Sequence, residues 1–328
     1  MTAAAGRPLW QTARWAGLGA TVALLGGLVA RPEPTLAVLW YAVVPVLPAV
    51  FLVAPGLWRN VCPLATLNTL GNRTVGGGRT LGPELGAWLG GVGILLLYVL
   101  VPGRRLLFNH DGVALAVTVA AVGALAFALG RLFSVKAGFC NAICPVLPVE
   151  RLYGQRPLFD PGNAHCSDCS ACTARGCLDL APTKSVPQVL GRTRQGYRWL
   201  LTPFGAFAAS FPGFIVAYYA LADTTLAAAG GVYGRVLLGV VASWAATALV
   251  VRALRLGYEP ALLVLGALSV TLYYWLGAPG IVEQWGLPEV TTTVLRLAAL
   301  GLVGVWAWRA DPAVPRSTKP QPCPDQAL

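Results

Sequence analysis

The sequence predicts an all-α polytopic membrane protein with about eight transmembrane helices and one small cytoplasmic loop domain. Hydrophobic residues make up 56 % of the chain and charged residues only 11 %, whereas a soluble domain carries about 25 % charged residues. The hydrophobic residues also fall into runs of about 20, the length of a helix that crosses a bilayer. Lipid, and not water, is therefore expected to be the main solvent of this chain.

Eight apolar runs reach this length. One polar segment, Arg131 to Thr202, is far longer than the others and separates the runs into two groups of four. The sequence thus predicts an N-terminal membrane half (1–131), a cytoplasmic cysteine-rich loop (132–202), a C-terminal membrane half (203–309) and a tail (310–328). The tail holds five prolines and no apolar run, so it is predicted to be disordered. The predicted spans are Ala13–Ala30, Leu36–Ala54, Leu85–Val101, Gly112–Gly130, Pro203–Ala222, Val236–Val251, Pro260–Gly277 and Thr291–Trp308.

Basic residues indicate the orientation of these spans. With both termini on one side, only five of the 24 Lys and Arg residues fall on the opposite side: Arg31, Arg104, Arg105, Arg235 and Arg296. Because basic loops stay on the cytoplasmic side, the termini and the long loop are predicted to be cytoplasmic. We therefore expect a multi-pass protein of the bacterial inner membrane.

Several function classes are disfavoured. The net charge of +11 is spread over short loops, so nucleic-acid binding is not expected. His110 and His165 lie outside the apolar runs, which argues against a haem held by two histidines within the membrane. Ionisable residues are nearly absent from the spans, unlike those of pumps and ion transporters. The chain contains neither a Walker loop nor a Ser-His-Asp set, so we expect a carrier or subunit and not a stand-alone enzyme.

The strongest functional signal is a group of four cysteines in the long loop. These four residues, here called the cysteine run, are Cys166, Cys169, Cys172 and Cys177. Two-residue gaps let a tight loop direct successive sulfurs at one cluster, as in bacterial ferredoxins. Disulfides are disfavoured because cytoplasmic thiols stay reduced. The preferred interpretation is a 4Fe–4S cluster bound by the run, and the alternative is a structural zinc ion held by four thiolates.

A second candidate site comes from Cys140, Cys144 and Cys62. Cys144 precedes Pro145 and Cys62 precedes Pro63, in two short segments that each follow a pair of predicted spans. Proline is favoured at the first position of a helix. Each cysteine is therefore predicted at a helix N-cap, where N–H groups and the helix dipole stabilise a thiolate. The two Cys-Pro segments also suggest a duplication within the N-terminal half.

These motifs suggest a family. The apolar helices, the C-x3-C-P motif that ends at Pro145 and the cysteine run together resemble the NapH/NosR-type membrane-bound 4Fe–4S ferredoxins, over about Trp58 to Pro182. The copper-oxidase maturation protein CcoG is a more distant comparison. The resemblance implies transfer of electrons from a cytoplasmic donor to a membrane or periplasmic redox partner. This chain has one ferredoxin-like run where the family has two.

Two ligand assignments stay open. In the first, one cluster is bound by all four cysteines of the run. In the second, Cys177 joins the second candidate site, as the fourth cysteine does in two-cluster ferredoxins, and His165 or Asp168 supplies a missing ligand.

Three functions are compatible with these sites. The first is a membrane-anchored iron–sulfur electron carrier. The others are a maturation factor that uses thiols to reduce or deliver a metal, and a scaffold subunit held by zinc. Three arginines near the end of the loop could dock an acidic donor or contact lipid headgroups; they are Arg192, Arg194 and Arg198.

Overall fold

A computed structural model describes residues 7–75, 78–79, 81–159, 178 and 182–309. Two helices contain or end in a π-helical turn, at Leu39–Val43 and Arg104–Phe108, and a third π turn stands alone at Phe139–Ile143. The helices are α1 (Arg7–Ala30), α2 (Pro32–Val53), α3 (Pro55–Val61), α4 (Pro63–Val75), α5 (Pro83–Phe108), α6 (Gly112–Leu132), α7 (Leu147–Tyr153), α8 (Pro182–Leu190), α9 (Pro203–Tyr219), α10 (Ala229–Ala253), α11 (Tyr258–Gln284) and α12 (Val290–Arg309).

The all-α polytopic class is confirmed. Seven helices of the described residues, α1, α2, α5, α6, α10, α11 and α12, are long and apolar enough to cross a membrane. The predicted span Pro203–Ala222 forms α9, a helix of 17 residues. In the part of the chain that the structure describes, extended pairing is limited to one isolated bridge, between Arg79 and Phe133.

Tertiary hydrogen bonds near the helix termini identify the two ends of the bundle. At one end, the indole N–H of Trp285 donates to the Tyr41 carbonyl over 3.2 Å. At the other end, Arg309 donates to the Leu158 carbonyl over 3.0 Å, and the next residue, Phe159, donates its N–H to the Val53 carbonyl. We call this second end the cysteine side, because α2 and α6 end there and lead into Cys62 and Cys140. The first end is the far side.

Helix α9 occupies the centre of the bundle, packed on α10, α11 and α5. Phe204, Phe207, Phe211 and Phe214 recur at helical spacing along it and form a column, with ring centroids 4.7–6.3 Å apart. Tyr98 of α5 lies 4.7 Å from Phe214. Aromatic pairs at such separations add to the gain from burial, so this column joins the two membrane halves.

Parts of the predicted loop belong to the bundle. Tyr153 and Trp199 are each no more than 1 % exposed and contribute to the main hydrophobic core. Gln155 donates to the carbonyls of Leu152 and Leu262, over 2.8 and 3.1 Å, which fixes α7 against α11. The segments 133–159 and 182–202 are thus packed with the membrane helices, while the cysteine run lies outside the described residues. The predicted disordered tail, 310–328, lies outside them too.

Candidate functional site

Two Cys-Pro segments with the same backbone conformation form the site. Cys62 links α3 to α4 with φ −54° and ψ 125°, and Cys144 ends the isolated π turn with φ −57° and ψ 121°. A following proline disfavours the α-helical conformation of the residue before it. Each cysteine therefore breaks the helical path, and the chain turns at that residue.

Both turns lie inside the bundle. The Cys144 and Ile143 carbonyls pack against Gly93, where a Cβ would come 2.8 Å from the Ile143 oxygen. Gly93 is ten residues from the start of α5, which corresponds to about 15 Å. The Val61 carbonyl, beside Cys62, packs in the same way against Gly17, about 15 Å from the start of α1. The cysteines predicted at the ends of helices are therefore carried into the bundle by chain segments that enter and leave on the cysteine side.

The three cysteines of the second candidate site converge there. Cys62, Cys140 and Cys144 line one cavity of about 40 Å³ and belong to one cluster with Ala65, Ala126 and Phe139. Cys140 is buried, and the other two are partly buried. Residues about 80 positions apart in the sequence are thus brought together by the packing of α4 on α6.

That packing depends on a close helix contact. Asn68 of α4 donates to the Ala126 carbonyl of α6 over 2.8 Å and accepts from the backbone N–H of Lys136 over 2.8 Å. Gly130 of α6 allows this approach, because a Cβ there would collide with the Asn68 carbonyl. Lys136 itself has a φ of +60°, an uncommon value for a residue with a side chain. Asn68 thereby stabilises the turn that leads to Cys140.

Buried charges surround the cavity. Arg59, Lys136 and Glu150 line it, and each is no more than 4 % exposed. An Arg59 nitrogen lies 2.6 Å from a Glu150 oxygen, and another donates to Asn141 over 2.7 Å. The Lys136 ammonium donates to the Arg59 carbonyl over 3.1 Å. Among the residues that the structure describes, two cations and one carboxylate line the wall, and this positive balance favours thiolates or an anionic ligand.

Burial raises the pKa of each thiol. It raises the pKa of Cys62 to about 11, although the N–H groups of Ala65 and Leu64 donate to the sulfur and act in the opposite direction. It raises the pKa of Cys144 to about 12, against an N–H bond from Val146, and the pKa of Cys140 well above its usual value. Binding a metal here would therefore release protons.

The N-cap prediction is right for one cysteine and wrong for the other. Cys62 accepts from the first N–H groups of α4, and its carbonyl accepts from Thr66, as in a helix cap. Helix α7 begins at Leu147, with Val146 as its N-cap. Pro145 therefore lies in a turn between Cys144 and the helix. Cys144 accepts one backbone hydrogen bond, but it does not cap the helix.

The side chains that line the cavity have the chemistry of a thiolate-bound metal centre. Three soft sulfur donors and two neighbouring cations suit iron–sulfur clusters and soft metal ions. A volume of about 40 Å³ holds a few water molecules, so a single ion fits, whereas a four-iron cluster requires the side chains to move apart. As placed, no three His, Cys, Asp or Glu side chains among the described residues are close enough to hold a metal ion.

The cysteine run (Cys166, Cys169, Cys172 and Cys177) lies outside the described residues, as do His165 and Asp168. The buried charges Arg59, Lys136 and Glu150 were missed by the sequence analysis, which assigned the two cations to orientation. Arg59 is three residues before Cys62 and Lys136 four before Cys140, but neither spacing belongs to a recognisable motif.

No family model, curated protein or solved structure matches this chain.

Proposed function

We propose that the protein is a membrane-anchored iron–sulfur electron carrier, which relays electrons from a cytoplasmic donor to a membrane or periplasmic redox partner. In this proposal the cysteine run binds a 4Fe–4S cluster, and Cys62, Cys140 and Cys144 form a second centre within the bundle. The observation that supports it best is the meeting of three cysteines and two buried cations in one cavity, about 15 Å along helices α1 and α5 from their starts.

The chain's own groups have defined tasks in this proposal. Arg59 and Lys136 offset the negative charge of thiolate ligands, and Glu150 holds the guanidinium in place. The N–H groups that follow Cys62 stabilise its sulfur as an anion. Gly93 lets the second Cys-Pro segment approach α5 closely. A cluster bound here would supply a centre that accepts and releases single electrons, part of the way across the roughly 30 Å hydrocarbon layer.

Helix α9 is proposed as an eighth span. Its 17 residues extend about 26 Å, nearly the thickness of the hydrocarbon core. The indole N–H of Trp244 donates to the Leu200 carbonyl just before α9. Beyond its other end, Asp223 pairs with Arg105 on the far side, over 2.8 Å. An even number of spans puts both termini on the cysteine side, and the excess of Lys and Arg there supports a cytoplasmic location of that side in the inner membrane.

One observation favours a second function. The cavity has room for a single ion, and the thiols do not form a finished coordination sphere. Such a site suits a maturation factor, in which Cys62, Cys140 and Cys144 bind a soft metal ion transiently before it is delivered to another protein.

Metal analysis distinguishes these functions. We would measure iron and acid-labile sulfide, with EPR after dithionite reduction, on protein purified anaerobically in detergent. The electron-carrier proposal predicts about eight irons per chain for two clusters and about four for one. Zinc without iron would refute it and leave the zinc-held scaffold.

Cysteine variants assign the sites. Cys140→Ser and Cys62→Ser are expected to lower iron and sulfide by about half if the second centre is a cluster, and Cys169→Ser is expected to remove the cluster of the run. Cys323→Ser, in the tail, is the matched control and should change neither value. Unchanged iron in Cys140→Ser, together with loss of copper(I) or zinc(II) binding, would favour the maturation factor.

A further inference from the structure

A lateral groove of about 440 Å³ lies between helices α5, α9 and α10. Helices α5 and α10 both pack along α9 but make few contacts with each other, so a gap opens beside α9. Gly91 of α5, Phe207 of α9 and Trp244 of α10 are among the residues that line this gap. The groove therefore lies at the seam between the N-terminal and C-terminal membrane halves.

The polar groups of the groove already have partners within the protein. The Tyr98 hydroxyl lies 2.7 Å from the Ser210 hydroxyl, which in turn donates to the Phe207 carbonyl over 3.1 Å. The Trp244 indole N–H donates to the Leu200 carbonyl over 3.1 Å. The remaining lining is aliphatic or aromatic. A molecule in the groove would therefore contact apolar surface and find few groups with which to form hydrogen bonds. Such a site suits a hydrocarbon chain.

The groove opens toward the bilayer in the leaflet on the cysteine side. Its rim residues Leu95 and Val241 are 62 % and 53 % exposed, on helices that are long and apolar enough to span a membrane. Gly91 lies eight residues from the start of α5, and Trp244 lies nine residues from the end of α10, both about 12–14 Å from those helix ends. Leu95 and Val241 are each twelve residues, or about 18 Å, from the same helix ends. The groove therefore extends from the acyl chains of that leaflet to about the middle of the roughly 30 Å hydrocarbon layer.

Two arginines lie on the chain segments that border the groove, toward the cysteine side of its lining residues. Arg198 begins the 3₁₀ turn Arg198–Leu201, which leads directly into α9. Arg252 lies two turns beyond Trp244, at the end of α10. Both side chains are exposed, and arginine side chains can extend along apolar surface to place the guanidinium at headgroup depth. Arginine also binds phosphate groups with directed hydrogen bonds.

We propose that this groove is a specific site for one anionic phospholipid from the leaflet on the cysteine side. One acyl chain occupies the gap between α5 and α10, and the phosphate contacts Arg198 and Arg252. The bound lipid stabilises the seam between the two halves by filling a gap that the side chains leave open. This inference is independent of any metal centre.

The test compares two neighbouring glycines of α5. A Cβ on Gly90 or on Gly91 meets open space, but only Gly91 lines the groove. Gly91→Leu and Gly90→Leu therefore add the same side chain to the same helix, inside and outside the site. The full-length protein and both variants would be exchanged into detergent micelles containing phosphatidylglycerol or phosphatidylcholine. Bound lipid would be counted by native mass spectrometry, and the thermal midpoint would be measured.

Wild type and Gly90→Leu are expected to retain one phosphatidylglycerol and to gain thermal stability from it, whereas Gly91→Leu should retain several-fold less. Arg198→Gln with Arg252→Gln should remove the preference over phosphatidylcholine. Arg235→Gln, at the far-side end of the same α10, should keep it. Equal retention by Gly91→Leu and Gly90→Leu would overturn the site. Equal retention of the two lipids by wild type would refute the preference for an anionic headgroup. One-for-one displacement by a short-chain quinone would refute the proposal that the occupant is a phospholipid.

Discussion

Glu150→Ala is expected to be one of the most damaging single substitutions in this protein. The Glu150 carboxylate lies 2.6 Å from the Arg59 guanidinium, and the two side chains are 4 % and 5 % exposed. Removing one partner of a buried ion pair costs about 3–5 kcal/mol. The hydrogen bond from Arg59 to Asn141 remains, so the lower part of that range is expected.

The exposed pair of Arg156 and Glu259 provides the control. Its atoms are 3.6 Å apart, and its side chains are 21 % and 55 % exposed, so Glu259→Ala should cost about 0–1 kcal/mol. Unfolding by SDS titration in mixed micelles, followed by tryptophan fluorescence, gives both free energies. The double variant Arg59→Met with Glu150→Met removes both charges of the pair and should be more stable than Glu150→Ala. If Glu150→Ala costs no more than Glu259→Ala, the assignment of Arg59 and Glu150 as a buried, structure-determining pair is wrong.

Three further outcomes are expected. Gly130→Leu should abolish the monodisperse peak in size-exclusion chromatography, because its Cβ collides with a backbone carbonyl, whereas Gly19→Leu meets open space and should not. Partial burial of Asp223 acts to raise the pKa of its carboxyl. Hydrogen bonds from Arg105 and a neighbouring asparagine outweigh this effect, so the pKa is lowered. Its contribution to stability should therefore be present above about pH 4 and disappear as the pH falls below it, and Asp223→Asn should flatten that part of a pH–stability curve. Tyr98→Phe removes a 2.7 Å hydrogen bond and should lower the free energy of unfolding by about 0.5–1.5 kcal/mol, measurable by the same SDS titration.

Hydropathy predicted where the membrane helices lie but not where they end. Helix α10 begins at Ala229, seven residues before the predicted start at Val236. These seven residues form about two turns and are rich in glycine, which has poor helix propensity. The Tyr233 hydroxyl donates there to the Val99 carbonyl over 2.8 Å. Tertiary packing therefore extends the helix beyond the apolar run, and no local sequence signal reports such packing.

Helix α3 was not predicted, and of α4 only the start was, through the N-cap prediction at Cys62. The segment 55–75 is too polar for a membrane span, so hydropathy does not mark it. In the structure its polar residues have buried partners: Asn68 bonds to α6, and Asn72 donates to the carbonyls of Gly130 and Phe133. The polar side chains of this segment form hydrogen bonds to other parts of the bundle, where burying an unpaired amide would be costly.

The candidate site was predictable in its cysteines and not in its charges. The repeated Cys-Pro pair grouped Cys62 with Cys144, and the C-x3-C spacing added Cys140. The Arg59–Glu150 pair joins positions 91 residues apart, and neither residue lies in a recognisable motif. Basic residues between apolar runs usually report orientation, and only the folded structure distinguishes the few that enter the bundle.

The two Cys-Pro segments also explain why the cavity holds three thiols. When Cys62 is aligned with Cys144, Arg59 aligns with Asn141, and these two side chains bond to each other over 2.7 Å. Contact between matching positions is what a local two-fold axis produces, so the geometry supports the suggested duplication. The position that matches Cys140 is then Trp58, which lines the same cavity. A symmetric pair of C-x3-C-P segments would present four thiols to this cavity. With Trp58 in the fourth place, a four-thiolate centre here has to take its last ligand from another part of the chain.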